Sequence, residues 1–418
     1  MLHIMALSTD NEKFFKGAEQ MILGGKYWRV VFRFAWLVTS SSLGLLAVMH
    51  NAHAASKVAK TLPDYQISEV AGGLSFPWSL AFLPDDSLLV TERTGQLRRV
   101  AQGKLSPPIK GLPDNLYVKS QGGLLDVVLH PDYAQNGWIY LSYAAGTDQH
   151  NALHVMRAKL QGLELVEQQE LFSVTPGKNT PVHFGGRMAF MADNSLLITS
   201  GDGFDYREQA QLNSSLLGKI IRIMDDGSVA PDNPFVLSGE ALTSATTANN
   251  NVSQYIYSLG HRNPQAILYD PVRQQVFANE HGPAGGDEVN IIEAGNNYGW
   301  PVITNGLDYS GARISPFTQY PGMQQPWLDW TPSIAPSGMV AYYGAMFEEL
   351  QGDLLVTSLK FKQVYWLQVT DGAVTQQTVL FSEIAQRLRD IRVHPDGSLY
   401  LLTDSAEGKI MRVSKAKS

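Results

Sequence analysis

Short apolar segments separated by turn-forming residues recur along the chain after residue 70. One copy has Leu83-Pro84-Asp85 ahead of the apolar run 88–90, and a related phrase, His394-Pro395-Asp396-Gly397, precedes the run 399–402. Further copies begin near residues 128, 190, 268 and 352. Proline, aspartate and glycine favour tight turns, and the short apolar runs beside them favour strands. Each copy therefore predicts a β-hairpin, and no long helix is predicted.

Six copies of one hairpin phrase indicate a fold that repeats around an axis. The copies are about 45 to 80 residues apart, and a propeller blade takes about 40 to 50 residues plus insertions. We therefore predict an all-β protein, a single six-bladed β-propeller domain over residues 55–418. A pair of β-sandwiches is the alternative. Propellers bind ligands where blade loops converge at one end of the central channel, so the loops should carry the chemistry.

The N-terminal segment has the pattern of an export signal. Lys26, Arg29 and Arg33 precede a mostly apolar run of 16 residues, 34–49, which is followed by Ala52-His53-Ala54. About 20 apolar residues are needed to cross a bilayer, so a cleaved secretory signal is favoured over a retained anchor. We predict that residues 1–54 are an N-terminal extension and signal peptide cleaved near Ala54. The mature chain would have no membrane span and would be periplasmic or secreted.

Composition excludes several kinds of site. There is no cysteine, which rules out disulfides, zinc–thiolate sites, iron–sulfur clusters, covalently attached c-type haem and a cysteine nucleophile. The formal charge is −7, from 39 acidic and 32 basic residues, which argues against a nucleic-acid partner.

Two loop segments place a polar side chain beside paired glycines. Gln121 precedes Gly122-Gly123, and His183 stands two residues before Gly185-Gly186. Glycine pairs let a ligand or another backbone come close, and a histidine at a strand start is a candidate general base. A tight turn and a structural histidine are the alternative interpretations.

A third and a fourth segment offer charge and oxygen ligands. In the third, Arg262 and Asn263 precede a proline, and the arginine could stabilise an anion or polarise a carbonyl oxygen. The fourth covers residues 279–288, with 296–301 soon after, and combines carboxylates, amides and glycine-rich backbone. These are hard oxygen ligands, which suit calcium better than zinc. Ordinary hydrogen-bonded turn carboxylates are the alternative.

A basic group stands near the C-terminus of this acidic chain. It consists of Lys360, Arg387 and Arg389. Arginines two apart on a strand point to the same face, where they could clamp a polyanion by bidentate contacts. A solvated strand edge is the alternative.

Several phrases taken together resemble the soluble quinoprotein glucose/sorbosone dehydrogenase family, and most of all its periplasmic aldose sugar dehydrogenases. The resemblance runs from about residue 70 to residue 413. The phrases that carry it are Gly260-His261-Arg262-Asn263-Pro264, Glu280-His281-Gly282-Pro283, Gly286-Asp287-Glu288-Val289-Asn290, Asn297-Tyr298-Gly299-Trp300-Pro301, Ala335-Pro336-Ser337-Gly338 and Arg387-Leu388-Arg389-Asp390. The family's fold is a six-bladed propeller, in agreement with the hairpin repeats.

The resemblance implies two cofactors, pyrroloquinoline quinone (PQQ) and Ca²⁺, and a role for each matching residue. His183 matches the general base that takes the proton of the sugar C1 hydroxyl while hydride passes from C1 to the quinone C5. The implied cofactor-binding residues are Gln121, Arg262 and Asn263 beside the reactive carbonyl, Tyr309 near the cofactor, and Lys360, Arg387 and Arg389 at its carboxylates. The implied calcium ligands are the carbonyls of Gly282 and Pro283, with Glu288 and Tyr298 at a further calcium.

The resemblance also implies an aldose substrate, a lactone product and an external electron acceptor. Val182 precedes His183 where glucose-specialised relatives carry an acidic residue, which favours a broader range of aldoses. Two alternatives are a calcium-dependent propeller lactonase and a non-catalytic sugar-binding propeller. The lactonase would leave Lys360, Arg387 and Arg389 without a purpose.

Overall fold

A computed structural model describes residues 60–236 and 252–416. Within these ranges, 24 strands form six antiparallel four-stranded sheets. The first strand of the chain, β1 (Tyr65–Leu74), belongs to the last sheet. Blade 1 comprises β2 (Pro77–Phe82), β3 (Leu88–Glu92), β4 (Gln96–Ala101) and β5 (Lys104–Leu105). Blade 2 comprises β6 (Leu124–Leu129), β7 (Trp138–Gly146), β8 (Asn151–Gln161) and β9 (Glu164–Ser173).

The remaining blades follow the same order along the chain. Blade 3 comprises β10 (Met188–Phe190), β11 (Leu196–Ser200), β12 (Lys219–Ile223) and β13 (Ile256–Leu259). Blade 4 comprises β14 (Pro264–Asp270), β15 (Gln275–Glu280), β16 (Asp287–Ile292) and β17 (Leu328–Trp330). Blade 5 comprises β18 (Pro336–Ala341), β19 (Leu354–Ser358), β20 (Val364–Thr370) and β21 (Ala373–Leu380). Blade 6 comprises β22 (Leu388–Val393), β23 (Leu399–Thr403), β24 (Gly408–Lys415) and β1.

Helical structure in the described ranges is limited to short turns. The α-helix α1 (Tyr133–Asn136) is a single turn in the β6–β7 connection. The 3-10 turns are Arg207–Gln211, Val252–Tyr255, Glu348–Leu350 and Ser382–Ile384. No helix in the described part of the chain is long and apolar enough to span a membrane.

The six sheets close into a ring. Their first strands contact one another in chain order: β2 contacts β6, β6 contacts β10, β10 contacts β14, β14 contacts β18, and β18 contacts β22. The ring closes because β22 contacts β2. The buried apolar side chains form six clusters, and each cluster fills the wedge between two neighbouring blades. The wedge between blades 1 and 2, for example, joins Leu89 and Leu97 to Leu124 and Ile139. The predicted six-bladed β-propeller is therefore confirmed.

Burial along the strands explains the hydrophobic pattern of the sequence. Second strands such as β3 and β11 are buried at every position, because a blade in the ring packs against neighbours on both faces. Outermost strands such as β9 and β21 are mostly exposed and polar. Each fully buried leucine or valine of the second strands contributes about 1.5–3 kcal/mol. Continuous apolar runs are thus middle strands, and alternating segments are outer strands.

The recurring turn phrase, with Pro-Asp in blades 1 and 6 and Ala-Asp in blade 3, builds the same hairpin support in three blades. In each, the aspartate accepts hydrogen bonds from the backbone N–H and the hydroxyl of the serine two residues later, and an arginine of the third strand bridges the two side chains. The arginine Nε lies 2.8–3.1 Å from the serine Oγ. The three sets are Asp85, Ser87 and Arg99 in blade 1, Asp193, Ser195 and Arg222 in blade 3, and Asp396, Ser398 and Arg412 in blade 6. The repeated phrase therefore forms hydrogen bonds and an ion pair that connect the turn between the first and second strands to the third strand.

The predicted extension and signal peptide, residues 1–54, lie outside the described residues. The predicted domain boundary near residue 55 lies there as well.

Candidate active site

One end of the ring collects the polar loop residues. Every first strand runs in the same direction along the channel, so the residues just before these strands meet at one rim. Gln121 precedes β6, His183 precedes β10, Arg262 and Asn263 precede β14, and Arg387 precedes β22. Second strands run antiparallel to the first strands, so the residues just after them reach the same rim. The rim is therefore built from two segments of each blade.

His183 is buried and held from both sides. Its side chain is 7% exposed, and its Nδ1 lies 2.7 Å from Asp202 Oδ1. Its backbone N–H donates to Gln121 Oε1 at 2.8 Å, and its backbone adopts a left-handed φ of 53°. Gly201 makes room for this turn, because a Cβ there would lie 2.3 Å from the His183 carbonyl oxygen. The imidazole is thereby fixed relative to a carboxylate from the end of β11.

Asp202 is the hub of this arrangement. Its Oδ1 also accepts the Phe204 N–H at 2.8 Å, and its Oδ2 accepts Trp300 Nε1 at 2.7 Å. Burial opposes ionisation of Asp202, but the hydrogen bond from His183 and the charge of Arg262 bring its pKa below the usual value. An ionised Asp202 accepts a hydrogen bond from Nδ1–H, which leaves Nε2 of the neutral imidazole as the free base.

Burial lowers the pKa of His183. The hydrogen bond to Asp202 acts in the opposite direction, while the positive charges of Arg262 and Lys178 lower the pKa further. The imidazole is therefore neutral at neutral pH and able to accept a proton. This is the protonation state that a general base requires.

Arg262 is held with its guanidinium group beside the same centre. Its Nη1 donates to the carbonyl oxygens of His281 and Gly282 at 3.0 and 2.8 Å. Its Nη2 lies 3.4 Å from the Tyr309 hydroxyl. The guanidinium carbon lies over the Trp300 ring at 5.3 Å from the centroid. The group is buried without a direct carboxylate contact to its guanidinium among the described residues, so its charge is available to an anion.

A cavity of about 390 Å³ opens at this rim. Its size falls within the ~300–1,000 Å³ typical of small-molecule sites. Of the residues singled out in the sequence, Gln121, Asn263, Arg387 and Arg389 line it. The other lining residues are Phe76, Trp78, Arg93, Leu125, Phe184, Gly185, Gln265, His281, Ala335, Leu359 and Asp404.

Positive charge exceeds negative charge on one wall of the cavity. Arg387 and Arg389 each place Nη2 3.2 Å from Asp404 Oδ2, and Arg93 also lines this wall. Burial opposes ionisation of Asp404, but the charges of the three arginines bring its pKa below the usual value. Arg389 Nε is buried and has no hydrogen-bond partner in the described residues. Three guanidinium groups with one carboxylate and an unused donor fit a ligand that carries several carboxylates.

Lys360 and Tyr309 lie nearer to solvent. Lys360 follows β19, is exposed, and donates from Nζ to the Ser333 carbonyl oxygen at 2.9 Å. Tyr309 is 64% exposed and faces Arg262. Neither residue lines the cavity in the described part of the chain.

The predicted calcium ligands divide into two groups. The carbonyl of Gly282 lies beside Arg262, whereas Glu288 faces Glu280 across the β15–β16 ladder. Burial and the neighbouring charge of Glu280 raise the pKa of Glu288. The Tyr298 hydroxyl donates to the Ile291 carbonyl at 2.7 Å and accepts the Glu293 N–H at 2.8 Å, which favours the backbone carbonyl of Tyr298 over its hydroxyl as an ion ligand.

The surroundings of Glu288 fit a hard cation. The Asn290 Oδ1 is buried without a hydrogen-bond partner in the described residues, and its Nδ2 donates to Glu288 Oε2 at 2.9 Å. A cation would relieve the repulsion that raises the pKa of Glu288 and would use the idle amide oxygen. No group of three or more acidic or histidine side chains arranged for a metal occurs in the described residues, so backbone carbonyls would complete the shell.

Asp287 fits the alternative interpretation of this segment, that of a hydrogen-bonded turn carboxylate. Its carboxylate accepts hydrogen bonds from the N–H groups of Gly282, Ile334 and Ala335 and from the Ser333 hydroxyl. It therefore ties the 282 turn to the segment before β18 and is a structural carboxylate. The glycine pair beside Gln121 also has a structural role, because Gly123 makes room for the Arg93 backbone.

Sequence reasoning missed Asp202, Arg93 and Asp404 as parts of the site, and it gave Trp300 no role although residues 296–301 belong to the fourth segment. Three of them share one signal, because Arg93, Asp202 and Asp404 stand one or two residues after the second strands β3, β11 and β23. A charged residue directly after the second strand of a blade is therefore the pattern that could have found them.

Comparison with known proteins identifies the family. The family model named Glucose / Sorbosone dehydrogenase matches residues 74–412. The chain belongs to the glucose/sorbosone dehydrogenase family. The resemblance predicted from the motifs is thus confirmed, and an oxidoreductase of the sugar dehydrogenase kind is supported.

Relatives within the glucose/sorbosone dehydrogenase family cover nearly the same length. Aldose sugar dehydrogenase YliI of Escherichia coli is 39% identical over 348 residues, which are 82% of this chain and 90% of that protein. The crystal structure of the soluble aldose sugar dehydrogenase from E. coli in the apo-form has a TM-score of 0.78 at 38% identity, covering 84% of this chain and 100% of the other. The PQQ-bound aldose sugar dehydrogenase from Streptomyces coelicolor has a TM-score of 0.67 at 28% identity, covering 84% and 99%.

Proposed function

We propose that the protein oxidises aldose sugars at C1 to the lactone with PQQ as its redox cofactor and Ca²⁺ as a second cofactor. The observation that carries the proposal is a neutral, carboxylate-oriented His183 beside a cavity with an arginine-rich wall. When bound, the quinone supplies the hydride acceptor at its C5 and passes the electrons to an external acceptor.

His183 acts as the general base in this proposal. Its free Nε2 accepts the proton of the C1 hydroxyl, and the ionised Asp202 stabilises the imidazolium that results. The Trp300 and Phe204 hydrogen bonds keep Asp202 in place. No other described histidine combines a rim position with a carboxylate on Nδ1 and a free Nε2, because His261 is bonded at both nitrogens and His281 donates from Nε2 to the Pro336 carbonyl oxygen.

Arg262, Gln121 and Asn263 orient the reacting groups. Arg262 brings a buried positive charge to the place where negative charge develops, and such fixed charges stabilise transition states strongly in a water-poor site. Gln121 accepts the His183 backbone N–H and lines the cavity. The buried Asn263 also lines the cavity, and its Oδ1 accepts the Gly185 N–H at 3.2 Å. Tyr309 faces the same arginine from the solvent side.

Arg387 and Arg389, with Arg93 and the nearby Lys360, bind the cofactor carboxylates. Their charge excess over Asp404 supports this assignment. Calcium is assigned to the carbonyls of Gly282 and Pro283, with a further ion at Glu288 and Tyr298. A propeller lactonase would have no use for the arginine wall, which is why the dehydrogenase is preferred.

The proposal includes export of the mature chain to the periplasm or medium after cleavage near Ala54. The electron acceptor would then be a separate carrier in that compartment, since a chain without cysteine holds no covalent c-type haem.

Dye-linked oxidation of a panel of aldoses by the apoprotein tests the proposal. Activity is expected only when PQQ and Ca²⁺ are both added. His183→Ala should abolish turnover and leave quinone binding unchanged. Absence of both turnover and tight quinone binding would overturn the proposal, and calcium-dependent lactone hydrolysis would then favour the lactonase.

A further inference from the structure

Phe204 is an exposed aromatic residue in a costly backbone conformation. Its φ is 68°, in the left-handed region where bulky side chains are uncommon, and its side chain is 37% exposed. It follows Gly203, which has a φ of 75°, so a glycine-like turn here carries a phenyl ring. Backbone strain of this kind persists where the surroundings hold it, and it clusters at functional sites.

The Phe204 ring lies against the candidate base. Its centroid is 5.2 Å from that of the His183 imidazole, and the two planes are at 80°. The Phe204 N–H donates to Asp202 Oδ1 at 2.8 Å, the same oxygen that accepts from His183. One carboxylate oxygen therefore sets the positions of both the imidazole and the phenyl ring.

A second exposed aromatic ring stands opposite. The rings of Phe204 and Tyr309 are nearly parallel, at 14°, with centroids 6.4 Å apart. Phe204 comes from the β11–β12 connection of blade 3 and Tyr309 from the β16–β17 connection of blade 4. The two connections are joined by an ion pair of 3.8 Å between Arg207 and Asp308.

The aromatic pair lies outside the arginine-walled cavity. Phe204 and Tyr309 are absent from the lining of that cavity in the described residues, whereas Phe184, next to His183, is part of it. His183 thus has the cavity on the side of Phe184 and the exposed Phe204 on another. A small molecule that approaches His183 from the side of Phe204 would meet the aromatic pair.

We propose that Phe204 is an apolar platform for the substrate, on which the C–H face of an aldose ring rests while its C1 hydroxyl faces His183. The inference rests on the proposed function and names the substrate contact of the same site. A pyranose has polar edges and faces made of C–H groups, and an apolar ring suits such a face. Tyr309 would complete the platform, with its hydroxyl beside Arg262 for a polar edge.

The platform sets substrate affinity and leaves the chemical step to His183. The backbone N–H of Phe204 keeps its hydrogen bond to Asp202 when the side chain is shortened, so the base stays oriented. Aromatic packing contributes about a five- to tenfold change in affinity per ring. A residue that binds ground state and transition state equally changes KM and not kcat.

The test compares Phe204→Ala, Phe204→Leu and Phe204→Tyr in the PQQ- and Ca²⁺-loaded protein with D-glucose and D-xylose. Phe204→Ala should raise KM about five- to tenfold with kcat within about twofold. Phe204→Tyr should restore the KM, and Phe204→Leu should restore it only in part. Phe317→Ala is the matched control, since Phe317 is 46% exposed and packs on Tyr320. Its KM should equal that of the unaltered protein.

Three results would overturn the platform. One is an unchanged KM in Phe204→Ala. Another is a shift of the acid limb of the pH profile in Phe204→Ala with KM unchanged, which would mean that Phe204 shields His183 from solvent and does not bind substrate. The third is a higher quinone concentration needed for half-maximal loading, which would make it a cofactor contact.

A separate readout distinguishes failure of the platform from failure of the proposed function. If the unaltered protein turns over no aldose, the proposed function fails, and saturation-transfer NMR with D-glucose then judges the platform. Transfer to the C–H protons of glucose should be seen with the unaltered protein and Phe317→Ala and lost in Phe204→Ala. Equal or absent transfer in all three would reject the platform.

Discussion

Asp202→Asn removes the charge that supports His183 and keeps the shape of the side chain. Aspartate accepts three hydrogen bonds here, from His183 Nδ1, the Phe204 N–H and Trp300 Nε1. An asparagine has only one oxygen, so an amide that serves His183 and Phe204 turns its NH₂ toward the Trp300 N–H. The substitution therefore creates one donor–donor contact as well as the loss of charge.

The size of the effect follows from these contacts. Two unit charges about 4 Å apart attract by about 4 kcal/mol at an effective dielectric of about 20. This attraction stabilises the imidazolium that forms when His183 accepts a proton. Its loss corresponds to about a 10³-fold lower kcat. The mispaired Trp300 costs about 1–3 kcal/mol of folding stability.

The assay is steady-state dye-linked aldose oxidation, with quinone loading measured in parallel. We expect kcat to fall about 10³-fold while the quinone concentration for half-maximal loading stays within about threefold. The pKa of His183 should fall further, because its anionic partner is gone, so the acid limb of the profile moves to lower pH. Trp300→Phe is the control that removes a hydrogen bond and keeps the charge. A kcat within about threefold of the unaltered protein would refute the role of Asp202.

Three further predictions follow from the same geometry. Because burial lowers the pKa of His183, kcat/KM should stay on its plateau down to about pH 6.5 and fall only below it; an apparent pKa above 7 in the pH profile would contradict this. Arg387→Ala combined with Arg389→Ala should weaken quinone binding about 10²-fold or more in a loading titration, and unchanged loading would remove the arginines from the cofactor site. Lys219→Met should lower the free energy of unfolding by about 2–4 kcal/mol in urea denaturation, because three buried carbonyl oxygens lose the ammonium group that binds them.

The fold was predictable because its turns are local. Asp85 and Ser87 are two residues apart, so their hydrogen bonds are encoded in a short phrase that repeats. The partner Arg99 belongs to the third strand, and the phrase does not reveal it. The copy near residue 130 departs from a tight hairpin, since α1 follows the Pro-Asp pair. That copy shows that one turn phrase can open two different connections.

The site was predictable only where it follows a recognisable phrase. His183 and Arg262 stand just before the first strands of blades 3 and 4, close to a glycine pair or a proline. Glycine and proline mark turns in a sequence, so polar residues beside them can be recognised as loop residues. Asp202 and Asp404 stand just after second strands, and that position is the one local signal that separates them from ordinary turn aspartates. Their importance depends on partners 19 and 15 residues away, His183 and Arg389. Each pair lies within one blade, across the pairing of its first two strands, so it is revealed only when the register of those strands is known.

Closure of that ring depends on the two ends of the described chain. β1 pairs with β24, so blade 6 combines the first strand with the last three, and the wedge between blades 6 and 1 holds Leu74 and Ile410 together with Leu80 and Leu88. Blade 1 can pack on blade 6 only after the last strand has been synthesised, which makes ring closure a late, long-range step in folding. Residues of all six blades, from Trp78 to Arg389, line the cavity at the rim. A bound cofactor would therefore hold the six blades together. Its binding free energy would add to the stabilisation that the β1–β24 pairing gives to the closed ring.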